Sequence, residues 1–334
     1  MIQKNKYCAK ISAIGVHVPE KVVTNKELEH IVETSDQWIR SRTGIAERHF
    51  VAPGEYNSDM SARAVQNLLA SRGMRAEEIE LIIVGTVTPD MFFPSTACLV
   101  QEKIGARNAW GFDLSGACSG FLYSLAVGAQ FVTTGMHKKV VVVGADVMSS
   151  IVDFSDRATC VLFGDAAGAV LLEPAVDGDV GIIDSILRSD GSGGKHLYMP
   201  GGGCMNPPTH ATVDQKMHVV HQDGKQVFRF AVKGMADVSK EILNLNGISV
   251  DQLALYVPHQ ANKRIIDASV DKLGLDPSKV IINIDRYANT TAATIPLCLH
   301  EAAQEGRIRK GDLVLLASFG AGFTWGSILL RWEI

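Results

Sequence analysis

Three polar side chains of types that can do acyl chemistry each follow a stretch predicted to be a buried strand. They are Cys118, His259 and Asn289. Open parallel sheets gather ligands outside the carboxyl ends of their strands, so these side chains can converge on one site. A cysteine thiolate can attack a thioester and keep the acyl group as a new thioester. A histidine and an asparagine can both donate hydrogen bonds to one oxygen, which suits an enolate formed when a neighbouring carboxylate leaves as CO₂.

Cys118 is predicted to lie at a sharp turn between a strand, Ala109–Leu114, and a helix, Ser119–Thr134. A helix N-terminus carries roughly half a positive charge, which favours thiolate over thiol and lowers the pKa of a nearby cysteine. The small residues around Cys118 leave room for a substrate to approach. We therefore expect an activated nucleophile, with an inert cysteine in a small-residue turn as the alternative.

The other two polar residues, and a glycine-rich run near the end of the chain, also have structural alternatives. A histidine that follows a proline, as His259 does, is often a hydrogen-bonded structural residue, and Asn289 could be only a helix cap. The run Phe319–Ser327 follows a predicted strand, and its backbone N–H groups could join that of Cys118 in binding an oxyanion. The alternative is a tight turn that needs positive φ. All these features together favour a catalytic site over coincidence.

The overall composition argues against several classes of protein. The 334 residues carry a net charge of −4, which is unlike a nucleic-acid-binding surface. No window reaches the roughly 18 consecutive apolar residues of a membrane span, and no long apolar run follows the basic Met1–Lys6, so no signal peptide is predicted. The six cysteines form no CxxC pair, which indicates reduced thiols and no zinc site. A cytoplasmic protein of two units, or of one fused double unit, is expected.

The order of predicted helices and strands repeats along the chain. The first pass comprises Glu77–Gly85, Ser95–Ile104, Ala109–Leu114, Ser119–Thr134, Lys139–Gly144 and Ala169–Leu172; the second comprises Asp251–Val257, Asn262–Leu273, Val280–Ile284, Thr290–Glu305, Gly311–Ala317 and Gly326–Arg331. The strand at the end of the first pass is predicted over Cys160–Leu172, with an interruption. Alternating strands and helices indicate an α/β fold with parallel crossovers, and the repeat indicates two related halves. Under this alignment, Asn289 takes the place of Cys118.

The segment between the two halves is rich in glycine and proline over Asp190–Pro208. It lacks a dinucleotide-binding fingerprint, since no GxGxxG opens a helix directly after a strand. A flexible connection and a lid over a pocket are both open interpretations. His218 and His221 lie in an alternating, strand-like stretch that puts them on opposite faces, so a metal site there is not expected.

Several longer motifs carry a family resemblance, which runs from about Ile11 to Trp332. They are Thr34–Ile39 with Arg42–Ile45, Gly116–Phe121, Phe163–Ala169, Val257–Asn262, Asn289–Ala293 and Gly322–Ser327. With these motifs the chain resembles the β-ketoacyl-acyl carrier protein synthase III family, the initiating condensing enzymes of bacterial type II fatty acid synthesis. The resemblance implies a thiolase-like fold: two duplicated βαβ-rich halves packed as a five-layer αβαβα sandwich. Residues 1–180 would carry the nucleophile, and residues 181–334 the histidine and asparagine.

The resemblance also implies a reaction. An acyl-CoA starter, with acetyl-CoA expected, condenses with malonyl-acyl carrier protein to give 3-oxoacyl-acyl carrier protein, CoA and CO₂. Cys118 is the acylated nucleophile, and His259 with Asn289 supports decarboxylation. The backbone N–H groups of Cys118 and Ala321 form the oxyanion hole. No cofactor and no metal is implied, because the coenzyme A thioester is itself a substrate.

Further contacts with substrates and partners are implied by matching positions. They are Trp38 and Arg157 on the two faces of the adenine, Arg42 at the nucleotide phosphate, Asn262 near the pantetheine arm, Phe228 as a further substrate contact, Phe93 reaching into the acyl pocket of a homodimer partner, and Arg229 and Arg264 docking the acyl carrier protein. Two positions depart from the pattern: Ala321 stands where glycine is frequent, and Asp271 where some members have lysine. Carrier docking could be weaker or shifted at Asp271.

Three other interpretations compete with a priming synthase. One is a related condensing enzyme of quinolone or polyketide type that loads a different starter, because the same three polar residues serve both. A second is a non-catalytic relative that only binds acyl carrier protein, which the retention of Cys118, His259 and Asn289 disfavours. A thiolase is disfavoured because Asn289 replaces its other catalytic residue.

Overall fold

The structure is a computed structural model and describes residues 7–175 and 180–334. Its strands are β1 Ala9–His17, β2 Lys21–Thr24, β3 Glu47–Phe50, β4 Leu81–Gly85, β5 Trp110–Leu114, β6 Val140–Asp146, β7 Ala166–Pro174, β8 Ile182–Ser189, β9 Leu197–Tyr198, β10 His221–Gln222, β11 Leu255–Pro258, β12 Leu313–Gly320 and β13 Thr324–Arg331. Its α-helices are α1 Asn25–Leu28, α2 Asp36–Thr43, α3 Asn57–Arg72, α4 Thr96–Ile104, α5 Gly120–Thr133, α6 His210–Asp214, α7 Gly224–Leu245, α8 Lys263–Leu273, α9 Ile284–Tyr287 and α10 Thr294–Gln304. Short 3₁₀ turns, Ala117–Ser119 and Thr291–Ala293, lead into α5 and α10.

Two mixed sheets share one strand order. The first runs β1-β7-β6-β4-β5 and the second runs β8-β13-β12-β11. In each sheet, two antiparallel pairs are followed by a parallel pair. In the first sheet, β4 also pairs in parallel with β5. At the equivalent place in the second sheet there is only a single parallel bridge, between Tyr256 of β11 and Val280. The predicted repeat is therefore present as a duplicated topology, with antiparallel pairs added to the expected parallel ones.

The helices form three layers around the two sheets. α3 and α4 cover the outer face of the first sheet, and α7, with α8 packed against it, covers the second. Between the sheets lie α5 and α10, each of which contacts strands of both. These two helices are apolar around most of their circumference, with buried residues on several faces, and a helix of that kind is stable only when it is enclosed. This is the five-layer αβαβα sandwich.

One predicted strand is absent and another is shorter than expected. The stretch Val280–Ile284 forms a single bridge to β11, at Val280, instead of a strand. Side chains donate hydrogen bonds to the backbone carbonyls that a neighbouring strand would otherwise use. Arg307 donates to the Val280 carbonyl at 3.0 Å, and Gln260 donates to the Ile281 carbonyl at 3.2 Å. The strand predicted over Cys160–Leu172 begins only at Ala166, after a series of turns.

The largest elements that were not predicted from the sequence both belong to the second half. The 22-residue helix α7 is the longest among the described residues, and β8 closes the second sheet. The signal for α7 is present, since Asp223 accepts a hydrogen bond from the Gln226 N–H as its N-cap and apolar residues recur at helical spacing from Val227 to Ile242.

The predicted counterpart of Cys118 in the second half is wrong by three residues. Ala117 and Thr291 each open the 3₁₀ turn before a central helix, and both have positive φ, 45° and 49°. When these two turns are aligned, Ala292 is the equivalent of Cys118. Asn289 lies three residues before Ala292. The sequence spacing could not resolve this register, because the segment before Asn289 is not a strand.

The division at residue 180/181 stays a prediction, since residues 176–179 lie outside the described part. The strands of the first sheet all precede residue 175, and those of the second follow residue 181. Among the described residues, none of the helices has the length and apolar character that crossing a bilayer requires.

Gly144 in β6 lets the two halves approach closely, which makes it a test of the interface between them. A Cβ added there would lie 2.3 Å from the Ala292 carbonyl oxygen. We expect Gly144→Ala to destabilise the protein by about 1–3 kcal/mol, since overpacking forces the backbone apart, measured by urea unfolding. Gly203→Ala is the control, because a Cβ there meets nothing within 4 Å. Equal stability of the two variants would contradict the assignment.

Candidate active site

The three predicted catalytic residues line one cavity of about 630 Å³. Each is placed by a different element. Cys118 lies in the turn before α5, and His259 directly follows β11. Asn289 lies between α9 and the turn that leads into α10. The structure thus brings together side chains that the sequence separates by up to 171 positions.

The turn at Cys118 is held by the second half of the chain. The Ser318 hydroxyl donates to the Cys118 carbonyl at 2.7 Å, and the Ser119 hydroxyl donates to the Thr324 carbonyl at 3.2 Å. A Cβ on Gly320 would lie 2.9 Å from the Cys118 nitrogen, so only glycine lets this backbone come so close. The loop between β12 and β13 therefore fixes where the thiol stands.

The expected lowering of the Cys118 pKa is wrong for the free protein. Burial raises the pKa of Cys118 to about 12, and the nearby Asp146 carboxylate adds to the rise, while the backbone N–H of Cys118 opposes it. The α-helix begins only at Gly120, after the 3₁₀ turn, and desolvation of a thiolate outweighs what the helix end supplies. Cys118 is therefore a thiol at neutral pH, and its N-terminal position stabilises the thiolate only as it forms.

His259 is buried and neutral. Its Nδ1 lies 2.7 Å from the Thr294 hydroxyl oxygen, and its Nε2 has no hydrogen-bond partner among the described residues. Burial lowers the pKa of His259 to about 3, because a charged imidazole would lose its hydration. Its backbone N–H donates to the Ala317 carbonyl at 2.8 Å, which continues the parallel pairing of β11 with β12.

Asn289 is oriented by two sets of hydrogen bonds. Its side-chain oxygen accepts from the Thr291 N–H at 2.9 Å, so the amide NH₂ is left to donate. Its backbone exchanges hydrogen bonds with the first half: Asn289 N donates to the Leu162 carbonyl at 2.9 Å, and Gly164 N donates to the Asn289 carbonyl at 3.1 Å. The turn Leu162–Gly164 thus holds a residue of the second half at the cavity wall.

Backbone donors for an oxyanion are also present. Cys118 and Ala321 both line the cavity. Within residues 7–175 and 180–334, neither backbone N–H donates to another residue. The Ala321 carbonyl instead accepts from the Thr324 hydroxyl at 3.0 Å, which fixes the orientation of its loop.

The predicted substrate contacts divide into two groups. Arg42, Asn262, Phe228 and Arg264 line the same cavity as the three polar residues. Trp38 and Arg157 are outside its lining and contact each other, with the guanidinium carbon 5.3 Å from the indole centroid.

Two predicted partner contacts, and one position that departs from the family pattern, lie on the surface apart from the catalytic residues. Arg229 lies over the Phe230 ring, 5.0 Å from its centroid, and does not line the cavity. Phe93 is 84% exposed. Asp271 is exposed on α8.

The two histidines considered as a metal pair bind separate partners. His218 lies 2.9 Å from the Thr212 hydroxyl, and His221 lies 3.1 Å from the Lys216 carbonyl. Only His221 belongs to a strand, the short β10, so the strand-like stretch predicted around both residues is wrong. Among the described residues, no group of three or more histidine, cysteine or acidic side chains could hold a metal ion.

Sequence reasoning missed two polar residues around the site, Asp146 and Thr294. Asp146 is fully buried at the end of β6, and a charged residue closing a strand of valines is the signal that could have found it. Thr294, also buried, gave no signal, because a threonine at a helix start is ordinarily read as part of a cap.

Comparison with known proteins identifies the family of the chain. The family model of 3-oxoacyl-[acyl-carrier-protein (ACP)] synthase III matches residues 112–191, and the model of its C-terminal part matches residues 243–332. The β-ketoacyl-[acyl-carrier-protein] synthase III of Koribacter versatilis is 56% identical, over 97% of this chain and 98% of the relative. The chain belongs to the β-ketoacyl-acyl carrier protein synthase III family. It is therefore a condensing acyltransferase.

Two solved structures agree with this membership. The crystal structure of 3-oxoacyl-[acyl-carrier-protein] synthase III from Aquifex aeolicus is 41% identical, with a TM-score of 0.90 over 97% of this chain and all of that one. A priming β-ketosynthase from the R1128 polyketide pathway is 31% identical, with a TM-score of 0.91 over all of this chain and 98% of that one. Both share the thiolase-like fold of this synthase III.

The raised pKa of Cys118 predicts how fast the thiol reacts with alkylating agents. Because the thiolate fraction rises tenfold per pH unit below the pKa, alkylation of Cys118 by iodoacetamide should accelerate without a plateau from about pH 7 to pH 10. Peptide mass spectrometry measures the rate, and the exposed Cys204 in the same sample controls for loss of reagent. A rate that levels off near neutral pH would show an activated thiolate instead.

Proposed function

We propose that this synthase III condenses an acyl-CoA starter, acetyl-CoA in the first place, with malonyl-acyl carrier protein. The products are 3-oxoacyl-acyl carrier protein, CoA and CO₂, and the reaction initiates fatty acid synthesis. One observation carries the assignment: a buried thiol shares a cavity with a neutral imidazole and an amide NH₂, both free to bind substrate. The names of the relatives, which specify acyl carrier protein, support the carrier substrate.

In the first half-reaction, Cys118 attacks the thioester carbonyl of acyl-CoA. The new C–S bond to Cys118 forms first and gives a tetrahedral intermediate. When this intermediate collapses, the C–S bond to coenzyme A breaks, and the cysteine proton ends on the coenzyme A thiol. The backbone N–H groups of Cys118 and Ala321 bind the oxyanion of the tetrahedral intermediate. Because Cys118 is a thiol at rest, proton loss accompanies attack rather than preceding it.

In the second half-reaction, His259 and Asn289 bind the thioester oxygen of malonyl-acyl carrier protein. Cleavage of the malonyl C–C bond releases CO₂ and leaves an enolate, whose charge the two side chains stabilise. The enolate carbon attacks the acyl-Cys118 thioester, and the departing Cys118 thiolate takes a proton from water. Neutral donors suit this step, because a cation would also bind the carboxylate that has to leave. The low pKa of His259, about 3, keeps its ring uncharged.

The rest of the substrate extends from the cavity. Asn262 and Phe228, which line it, would contact the pantetheine arm, and Arg42 a phosphate of coenzyme A. Trp38 and Arg157 would hold the adenine on its two faces by stacking. They touch each other in the free protein, so adenine binding requires the pair to separate.

The carrier protein would dock against basic side chains. Arg264 lines the cavity and lies over the Phe228 ring, while the exposed Arg229 is on the same helix as Phe228. Positive charge at these positions suits an acidic partner.

The proposed reaction needs no cofactor or metal, since coenzyme A arrives as part of the substrate. We propose that the enzyme acts in the cytoplasm.

A starter-loading synthase of polyketide type is the second candidate. The likeness to the R1128 priming β-ketosynthase favours it, at 31% identity, whereas the relative named synthase III from Koribacter versatilis reaches 56%. The two differ in the acyl group loaded. A scan of acyl-CoA chain lengths, with the adduct on Cys118 read by mass, separates them.

The catalytic roles are tested by three variants. Cys118→Ser should abolish transfer from acyl-CoA. His259→Ala and Asn289→Ala should still be acylated at Cys118, yet release CO₂ from malonyl-acyl carrier protein at least about a hundredfold more slowly, since each loses one donor to the enolate. Mass spectrometry follows the acyl adduct, and labelled CO₂ follows decarboxylation. The exposed His210, changed to alanine, is the control; native decarboxylation in either cavity variant would remove that residue from the mechanism.

A homodimer is also part of the proposal. β5 is an edge strand of the first sheet, and its first residue, Trp110, is 45% exposed. Phe92 and Phe93 are 78% and 84% exposed in the loop before α4. An edge strand with apolar residues, next to exposed aromatic rings, is typical of a surface that a second copy covers.

Phe93→Asp tests the dimer. A carboxylate buried at an apolar interface costs several kcal/mol, so we expect this variant to sediment as a monomer of half the native mass and to load acyl groups poorly. Leu245→Asp, at the exposed end of α7, is the matched control and should remain dimeric. A native protein that sediments as a monomer would contradict the dimer outright.

A further inference from the structure

Among the described residues, the His259 ring has one side-chain partner, a threonine at the start of the central helix α10. The Thr294 hydroxyl oxygen lies 2.7 Å from His259 Nδ1 and 3.0 Å from the Thr291 carbonyl oxygen. Both Thr294 and His259 are at most 2% exposed. Because both residues are buried, the position of one hydroxyl proton decides which nitrogen of the ring carries a proton.

Two arrangements of protons are compatible with this geometry. A hydroxyl has one proton to donate, and a neutral imidazole has one N–H and one bare nitrogen. If the Thr294 hydroxyl donates to the Thr291 carbonyl, His259 Nδ1 must donate to Thr294, and Nε2 faces the cavity as a lone pair. If the Thr294 hydroxyl donates to Nδ1, the ring proton is on Nε2, and Nε2 faces the cavity as a donor.

The contacts around Thr294 favour the second arrangement. The Thr291 carbonyl already accepts the backbone N–H of Thr294, so it has no need of the hydroxyl. The contact with His259 is the shorter of the two and close to the usual O–H hydrogen-bond length. Burial, which lowers the pKa of His259 to about 3, leaves a neutral ring for the hydroxyl to orient.

We propose that Thr294 is a positioning residue for the condensation: its hydroxyl donates to His259 Nδ1 and so fixes the tautomer whose Nε2–H points into the cavity. This inference rests on the proposed function, in which His259 donates to the thioester oxygen. His259 then resembles Asn289, because in both side chains the accepting atom is occupied by a threonine donor. In Asn289 the side-chain oxygen accepts from the Thr291 N–H. Two residues of one turn, Thr291 and Thr294, then ensure that both side chains present hydrogen rather than a lone pair.

The position of Thr294 is itself set from the first half. The Asp146 carboxylate accepts hydrogen bonds from the Thr291 hydroxyl and, at 3.3 Å, from the Ala292 N–H. These bonds hold the turn from which α10 starts. Thr294 is the first residue of that helix, so its hydroxyl has a fixed place relative to β11 and to His259.

The tautomer is measured directly on the native protein without substrate. ¹⁵N-histidine labelling and heteronuclear NMR identify which ring nitrogen carries the proton, and the signal of His259 is assigned by its loss in His259→Gln. We expect the proton on Nε2 in the native protein and shared between the two nitrogens in Thr294→Val. A native protein with its proton on Nδ1 would overturn the inference even if every catalytic assignment held.

The kinetic arm compares Thr294→Val with Thr294→Ser. The valine variant should decarboxylate malonyl-acyl carrier protein at least about tenfold more slowly, since the donor is no longer fixed, while acyl transfer to Cys118 stays within about threefold of native. The serine variant keeps a hydroxyl and should recover most of the lost rate. Native decarboxylation in Thr294→Val, or no recovery in Thr294→Ser, would overturn the role.

A matched control comes from the first half. Thr96 is the first residue of α4, is fully buried, and its hydroxyl has no partner among the described residues. Thr96→Val should leave decarboxylation and the His259 signal unchanged. If His259→Ala itself decarboxylates at the native rate, the proposed function of His259 fails, whereas the tautomer measurement stands by itself.

Discussion

The buried carboxylate of Asp146 is the constraint on which the rest of the site depends. One oxygen accepts from the hydroxyls of Thr86 and Thr88 and from two backbone N–H groups of the loop after β4. The other accepts from the turn that opens α10. Burial raises the pKa of Asp146, and these donors oppose the rise. Because each donor would be left unsatisfied without it, at a cost of about 1–3 kcal/mol, the carboxylate ties the two halves together.

Close approach between the halves follows from small residues on both sides of this contact. Gly144 faces the carbonyl of Ala292, and Gly320 faces the nitrogen of Cys118. Each half therefore supplies the support for a reactive group of the other: the loop after β12 holds Cys118, and the turn Leu162–Gly164 holds Asn289. A site built in this way keeps Cys118, His259 and Asn289 buried. Its donors are neutral, and their strength comes from the low local dielectric rather than from charge.

The sequence predicted the architecture well where periodicity was strong, and poorly where side chains replaced backbone pairing. β5 and α5 are each found within one residue of their predicted bounds, Ala109–Leu114 and Ser119–Thr134. The strand expected over Val280–Ile284 was wrong, because Arg307 and Gln260 occupy its carbonyls from a distance along the chain. The pKa expected for Cys118 was wrong for a related reason: a motif shows the helix end but not the burial around it.

The sequence by itself determined the duplicated α/β fold, the family, and the three polar residues that share the cavity, because these depend on local patterns and on motifs. Only the tertiary structure decided the state of those residues. The protonation of Cys118, the neutrality of His259 and the direction of the Asn289 amide each depend on partners such as Thr294 and Asp146. Desolvation and hydrogen bonding act through space between residues from separate segments, so no stretch of the chain contains the information by itself.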